Sequence, residues 1–457
     1  LRVNQGYGQP GSESVSFRIR GQGTFSSAGS DPLILINGVP GDMSSLDPSV
    51  IESISVLKDA ASAAIYGARA AYGVVLITTK DGSGVQDKVT VSYSNNFSWL
   101  SPINLPKYTL GYEVLDMLDE GMLAQKNTDG TDIEAFGMYY KDLKAPIKNW
   151  LDKYNGQDLG QVMVYGRDYT YSPSGVMQSY RVWDPNEELF NKASFQQQHN
   201  LSISGNSGKT KYSISAGYNK TDGMMKMAKS QYIQRITTNI STSTQVYKWL
   251  NIGTRILYTE KEQEYPFGYS HSASSGGVIY YTMRFPTFFL FGISDGAYNE
   301  ATGTYLNATT EGSKGLYFRH GNGFIAYAPT QQASDEYLTL GVNMKANITK
   351  DFSFYADYTR GVLNYVSKGI AQPQYVANWW SAYSPKAAYT SGDYLENTWL
   401  KKETNTVNAY FDYKYKLKED HTFNFKAGMN AEDLTYNSNY LKSLGVINPN
   451  IPTMNQT

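Results

Sequence analysis

Val407-Asn408-Ala409-Tyr410-Phe411-Asp412-Tyr413-Lys414-Tyr415-Lys416-Leu417 alternates between two faces without a break. Val407, Ala409, Phe411, Tyr413, Tyr415 and Leu417 fall on one face; Asn408, Tyr410, Asp412, Lys414 and Lys416 fall on the other. Period 2 marks a β-strand, because successive Cβ atoms point to opposite sides. Held over about ten residues, it fits a strand tilted across a bilayer. Strands of water-soluble domains are about half as long.

The same pattern recurs on both sides of this stretch. Leu338, Leu340, Val342, Met344, Ala346 and Ile348 oppose Thr339, Gly341, Asn343, Lys345 and Asn347. Tyr212, Ile214, Ala216 and Tyr218 oppose Ser213, Ser215 and Gly217. Phe423, Phe425, Ala427, Met429 and Ala431 oppose Thr422, Asn424, Lys426, Gly428 and Asn430. Strands are expected near 88–99, 198–205, 210–219, 231–243, 249–262, 337–349, 351–365, 403–417 and 421–436. Links after the second, fourth, sixth and eighth are short, as at Asn206-Ser207-Gly208 and Thr349-Lys350. Links after the first, fifth and seventh are long, at about 100–197, 263–336 and 366–402. Short turns on one side and long loops on the other describe an outer-membrane barrel, short side in the periplasm. About nine strands leave an open edge in lipid, which is untenable for unpaired backbone groups. The expectation is therefore the first portion of a barrel of about 22 strands.

Composition agrees. Charged residues are 18% of the 457, aromatic residues reach 14%, and there are 39 Tyr. Tyr pairs an apolar ring with a polar tip, which suits membrane–water boundaries and sugar-binding surfaces. A net charge of −1 gives no electrostatic case for nucleic acid. No apolar run of about 18 residues offers a transmembrane helix. The absence of Cys excludes disulfides, thiolate metal sites and Cys nucleophiles. No charged and apolar leader pattern is legible from Leu1, so a mature or truncated chain is expected.

Residues 1–82 follow another regime, with short apolar runs and Gly-rich turns. Strands are expected at 32–38, 51–57 and 73–79, with a short Ala-rich helix from Asp59 to Tyr66 ended by Gly67. This is a small α+β unit, followed from residue 83 to residue 457 by the barrel portion.

Three segments here closely resemble the plug signature of SusC/RagA-type TonB-dependent transporters. They are Asp31-Pro32-Leu33-Ile34-Leu35-Ile36-Asn37-Gly38-Val39-Pro40, Ile51 through Lys58-Asp59-Ala60 to Tyr66-Gly67-Ala68-Arg69, and Gly73-Val74-Val75-Leu76-Ile77-Thr78-Thr79-Lys80. Phe17-Arg18-Ile19-Arg20-Gly21 is similar to the segment just upstream in that family, and Gln198 to Gly205 with Lys211 to Ser215 to its second and third strands. The signature positions are Asn37, Gly38, Lys58, Asp59, Tyr66, Gly67, Arg69 and Gly73. The family usually has Asp at Asn37 and a Gly-Ala-Asn-like run at Ala70-Ala71-Tyr72. The resemblance implies an outer-membrane, multi-pass importer with a plug in its lumen. It implies coupling to TonB with ExbB and ExbD, a SusD-like lipoprotein lid, and a dimer of transporter–lid pairs. Cargo in such proteins is oligosaccharide, or oligopeptide in RagA-like members.

Candidate contact residues carry two readings each. Arg18, Arg20, Lys58, Asp59 and Arg69 either touch cargo or form salt bridges that seat the plug, and the second is favoured. Trp379 and Trp380, with Tyr375 and Tyr383, either stack on sugar or lid, or pack within their loop. Phe285 to Phe291 is either a loop core or a lid-docking surface. Asn127 to Glu134 has the alternating oxygens of a calcium loop without the full spacing, so a plain turn is favoured over bound calcium and no cofactor is expected. His199, His271, His320 and His421 are scattered, and no catalytic constellation is legible, so the chain does not read as an enzyme. The alternatives weighed are an oligopeptide importer, a secreted β-rich adhesin or lectin, and a siderophore or cobalamin receptor.

Overall fold

A computed structural model describes residues 2–5, 15–19, 31–43, 46–58, 70–80, 88–103, 105–109, 111–117, 140–172, 176–266, 287–288, 291–296, 298–299, 304–305, 314–318, 323, 325–326, 328, 330–371, 375–378, 386–388, 394–417 and 421–444. Strands β1 (Arg2–Gln5) and β2 (Val15–Arg18) form an antiparallel ribbon. Strands β3 (Leu33–Ile36), β4 (Val39–Pro40), β5 (Ile51–Leu57) and β6 (Val74–Thr79) form a sheet in the order β4-β3-β6-β5, with β3 parallel to β6. The expected plug strands therefore appear where the short apolar runs stand. The expected helix at 59–66 lies outside the described residues.

From β7 (Thr90–Leu100) the chain enters the barrel wall. The first long link holds α1 (Tyr140–Tyr154), β8 (Val162–Met163), β9 (Tyr169–Tyr171), β10 (Met177–Ser179) and α2 (Pro185–Leu189). Then come β11 (Ser194–Ser207), β12 (Thr210–Asp222), β13 (Tyr232–Tyr247) and β14 (Leu250–Pro266). Short pieces β15 (Ile293–Ser294), β16 (Tyr298–Asn299) and β17 (Thr304–Tyr305) follow. The wall resumes with β18 (Thr330–Asn347) and β19 (Phe352–Ala371), leaves for β20 (Tyr375–Ala377) and β21 (Lys386–Ala388), and ends with β22 (Tyr394–Leu417) and β23 (His421–Leu444).

The nine wall strands lie in one antiparallel sheet, each beside its neighbour in sequence. The nine positions match those expected from periodicity. Register fixes the faces. Val91, Ile203, Ile214, Ile240, Ile256 and Leu340 are successive cross-strand partners and form one apolar row across six strands. All of that row lies on the outward face, where Leu201, Ile236, Val342, Phe411, Tyr413 and Phe425 are also exposed. Residues of opposite parity, such as Ser213, Ser215, Thr237, Asn239 and Thr359, are buried on the inward face. No helix among the described residues is long and apolar enough to cross a membrane, which bears on helices alone.

The strands differ from expectation in length. At about 3.3 Å per residue, a strand as long as β22 runs about 80 Å, far more than a bilayer needs. The outward apolar band occupies only its lower part, Val407 to Leu417, and the matching parts of β18 (Leu338 to Ile348) and β23 (Phe423 to Ala431). Above the band, outward positions turn polar at Glu260, Glu336, Arg360, Asn364, Lys401, Glu403 and Asp433. Arg360 and Lys401 each reach Glu403 at 3.0 Å. The sheet therefore continues beyond the lipid, and the strands reach into what the sequence pattern gave as loops at 263–336 and 366–402.

Candidate functional site

The site begins at a two-residue turn. Asn37 and Gly38 link β3 to β4 with φ of 51° and 92°. Positive φ at both positions is the hairpin geometry for which Asn-Gly is the favoured pair. The Asn37 side chain then fastens the neighbouring strand end. Its Oδ1 accepts from the Thr79 backbone N–H at 3.0 Å and its Nδ2 donates to Thr79 Oγ1 at 3.0 Å. Thr79 is fully buried because the wall covers it. Its hydroxyl lies 3.3 Å from Asn239 Oδ1 on β13. Asn239 Nδ2 donates to the Lys80 carbonyl at 2.9 Å, and Ser241 Oγ to the same carbonyl at 3.2 Å.

Packing continues the attachment. Leu257 of β14 joins the plug core of Ile36, Leu46, Val50, Val75 and Ile77. Where the two backbones approach, the wall has glycine: a Cβ on Gly361 would stand 3.1 Å from Val39 Cγ1, and one on Gly217 3.4 Å from Asp47 Cγ. Asp47 itself is buried and caps a short turn by accepting from the Ser49 N–H at 2.8 Å. Arg235 reaches the Leu46 carbonyl at 3.4 Å. The plug is thus held by hydroxyls, amides, the Arg235 guanidinium and the aliphatic contact of Leu257, with small wall residues admitting it.

Two clefts flank the β3–β4 hairpin. On the long-loop side a 410 Å³ cleft lies between Pro32, Leu33 and Asp42 of the plug and Tyr337, Leu363 and Lys402 of the wall. On the short-turn side a 580 Å³ cleft lies between Asn37, Gly38 and Thr78 and the wall residues Asn343, Asp357, Asn408 and Tyr410. Above the plug, inward parity places Tyr265, Tyr337, Tyr365, Tyr436 and Tyr440. Tyr337 and Tyr436 share one cross-strand row with Leu363 and Lys402.

Three long links converge on a core of their own. Leu143, Ile147, Met163, Tyr169, Trp183, Phe288, Phe291, Phe318 and Ala377 pack together. At its heart Asp168, with no exposed surface, accepts from Trp150 Nε1 at 2.9 Å, the Val164 N–H at 2.8 Å and Arg167 Nη2 at 2.6 Å. The hydrogen bond to Asp168 holds the Arg167 guanidinium above its ordinary pKa. Burial pulls Arg181 down, although Asp168 lies 3.8 Å away. The Arg181 guanidinium stacks 3.7 Å from the Trp183 ring centroid and donates to the Gly160 carbonyl at 2.6 Å. Tyr169 donates to Asp295, and burial, then Tyr171 and Asp295, raise its pKa.

The structure places Asn37 and Gly38 at the plug seat and Gly73 inside the plug, where its carbonyl accepts from the Leu33 N–H at 3.0 Å. Gly73 has φ of 100°, and a Cβ there would meet Ile19 Cδ1 at 2.9 Å. Lys58 is exposed at the end of β5, and Arg18 pairs through its backbone with Arg2. Tyr375 is exposed while the next residues, Val376 and Ala377, are buried in the loop region. Of the stretch 285–291, Phe288 and Phe291 are fully buried, so those two rings belong to a loop core. Arg20, Asp59, Tyr66, Gly67, Arg69, Trp379, Trp380 and Tyr383 lie outside the described residues, as does the stretch 127–134. Sequence reasoning missed Asn239, Ser241 and the inward tyrosines above the plug, though strand parity carried the signal. Among the described residues no group of three or more His, Asp or Glu side chains is arranged to hold a metal.

Comparison with known proteins fits this geometry. Residues 2–74 match the family described as TonB-dependent Receptor Plug Domain. TonB-dependent receptor P39 of Formosa agariphila is 31% identical over 258 residues, which is 56% of this chain and 20% of that protein. TonB-dependent receptor SusC of Bacteroides thetaiotaomicron is 28% identical over 251 residues, 53% of this chain and 20% of that protein. The chain therefore spans about a fifth of these relatives' length. Among solved structures, the RagAB peptide transporter aligns with a TM-score of 0.67 at 18% identity, covering 97% of this chain and 46% of that one.

Proposed function

We infer, from a chain that is of the SusC/RagA type of TonB-dependent transporter, that the whole protein imports oligosaccharides across the outer membrane. The observation that carries this reading is the plug's seat: hydroxyl and amide contacts to the wall beneath a tyrosine-lined chamber. Hydrogen bonds of this kind exchange with water at a net cost of about 1 kcal/mol each. A plug held so is remodelled by a modest pull, which TonB, energised with ExbB and ExbD, supplies from the periplasm. Tyrosine rings present apolar faces to sugar rings and a hydroxyl to their polar edges. The converged loops give a rigid platform on the outer side, fitting a SusD-like lipoprotein lid, and two such pairs form the dimer.

A second reading, oligopeptide cargo, draws on the peptide transporter whose fold this chain shares. Growth of a deletion strain on purified glycans and on defined peptides separates the two. Loss of uptake of one glycan class, restored by the gene, is the expected result; unchanged uptake of every glycan overturns the oligosaccharide reading, and loss on peptides alone transfers it to the second.

A further inference from the structure

Below the plug, the inward face of β14, β18, β19, β22 and β23 carries an excess of one charge. From Arg255 down to the short turns, Arg255, Lys345, Lys414, Lys416 and Lys426 stand against Asp357, Asp412 and Glu432. At the centre is a four-member stack. Lys345 Nζ lies 5.1 Å from the Tyr355 ring centroid, Tyr355 and Tyr410 stack at 4.8 Å and 10°, and Lys426 Nζ lies 5.6 Å from the Tyr410 centroid. Register builds it, because Lys345, Tyr355 and Tyr410 are direct cross-strand partners. Gly428, the next partner, has no Cβ; one there would stand 2.3 Å from Tyr410 Cβ.

A row of amides runs alongside. Asn343, Asp357, Asn408 and Asn430 are successive partners across four strands. Asn408 Nδ2 donates to Asp357 Oδ2 at 2.9 Å, and Asn430 donates to Asn408. This row and Lys426 line the 580 Å³ cleft under the Asn37-Gly38 turn, and Lys345 and Tyr355 line an adjoining cleft of 370 Å³. Among the described residues Lys426 forms an ion pair with Asp412 at 3.6 Å, which is exposed on the lysine side and weak. Hydroxyls and amides alone would suit any sugar. The added ammonium groups select a negative one, since charge-assisted hydrogen bonds are about twice as strong as neutral ones.

We propose that this wall is a transit site for acidic oligosaccharides, with Lys345 and Lys426 binding uronate carboxylates or sulfate esters while the Asn343–Asn430 row bonds ring hydroxyls. It rests on the oligosaccharide reading above. The two lysines stand three strand spacings apart, on the order of 15 Å, so the site favours oligomers bearing more than one charge over monosaccharides.

The test is titration calorimetry on the purified full-length transporter in detergent, where ligand enters from the periplasmic end. The probes are tetrasaccharides of equal length, one neutral, one uronate-bearing and one sulfated, and an acidic tetrapeptide. The wild type is expected to bind at least one acidic sugar about tenfold or more tighter than the neutral one. Lys345→Gln with Lys426→Gln removes that preference, and Lys345→Arg with Lys426→Arg restores it. Uronate and sulfate arms tell the two anion sources apart. An equal affinity for neutral and acidic sugars, a preference that survives the Gln pair, failure of the Arg pair to restore it, or the same lysine dependence for the tetrapeptide overturns the proposal. Cellular uptake of neutral glycans, measured separately, tests the importer reading without involving these lysines.

Discussion

Asn239→Ala should loosen the plug without loosening the wall. The side chain has no exposed surface and makes two contacts with the plug, to Thr79 Oγ1 and to the Lys80 carbonyl. Each is worth about 1 kcal/mol net. Neither plug partner is stranded, because Thr79 keeps Asn37 and the Lys80 carbonyl keeps Ser241. The expected cost is therefore about 2 kcal/mol, close to a thirtyfold rise in the population of the unseated plug. Adding Ser241→Ala takes the last wall donor from the Lys80 carbonyl and brings the total to about 3–5 kcal/mol. Hydrogen–deuterium exchange on the full-length transporter reads this opening directly. The peptide over Val74–Thr79 should exchange about thirtyfold faster in the single variant, while the peptide over Leu250–Pro266 stays unchanged. Unchanged exchange at Val74–Thr79, or an equal rise in both peptides, would refute the reasoning.

Other consequences are checked as readily. Gly361→Val places branched carbon against Val39, where even a Cβ would be at 3.1 Å; plug packing should weaken by about 1–3 kcal/mol, seen as faster exchange in β3 and β4. Val342→Arg in the outward band should cost about 2–4 kcal/mol in refolding into lipid vesicles, whereas Glu336→Arg, above the band, should cost almost nothing. Asp168→Ala leaves Arg167 and Arg181 without their carboxylate and should cost about 3 kcal/mol or more, exposing the link at 101–193 to limited proteolysis while the wall resists. Alkali should open the same loop core. Tyr169 has a raised folded pKa, so its contribution is full below the ordinary value of about 10 and is lost as pH climbs toward the folded value. Tyrosinate absorbance should therefore rise together with loop proteolysis, the sheet's circular dichroism being retained.

The wall was legible because lipid enforces alternation. Every strand was visible where outward residues are apolar, as at Val407 to Leu417. It faded where they are not. Lys401 and Glu403 face outward above the band, so polar alternates with polar, and β22 was read from 403 although pairing begins at Tyr394. Plug strands β3 and β6 were legible through their buried apolar runs, and Asn37-Gly38 as a turn; β5 was read as a strand although most of it is exposed. Its fastening to Asn239 was not, because a contact between residues 160 apart in sequence leaves no periodic trace. Of the loop core only Phe285 to Phe291 was weighed as such; the rest escaped for the same reason, its members being drawn from three separate links. Leu143, Ile147 and Trp150 do carry helical spacing, but Pro146 within α1 broke the pattern.

The central claim is that one face of this sheet meets lipid and the other meets the plug. Spin labels at single engineered cysteines along β18 of the full-length transporter in lipid vesicles test it most directly. Oxygen should relax labels at 338, 340, 342 and 344 strongly, a water-soluble nickel reagent should reach 332, 334 and 336, and labels at 339 and 341 should be shielded from both. Equal access of the nickel reagent to 340 and 341 would contradict the account.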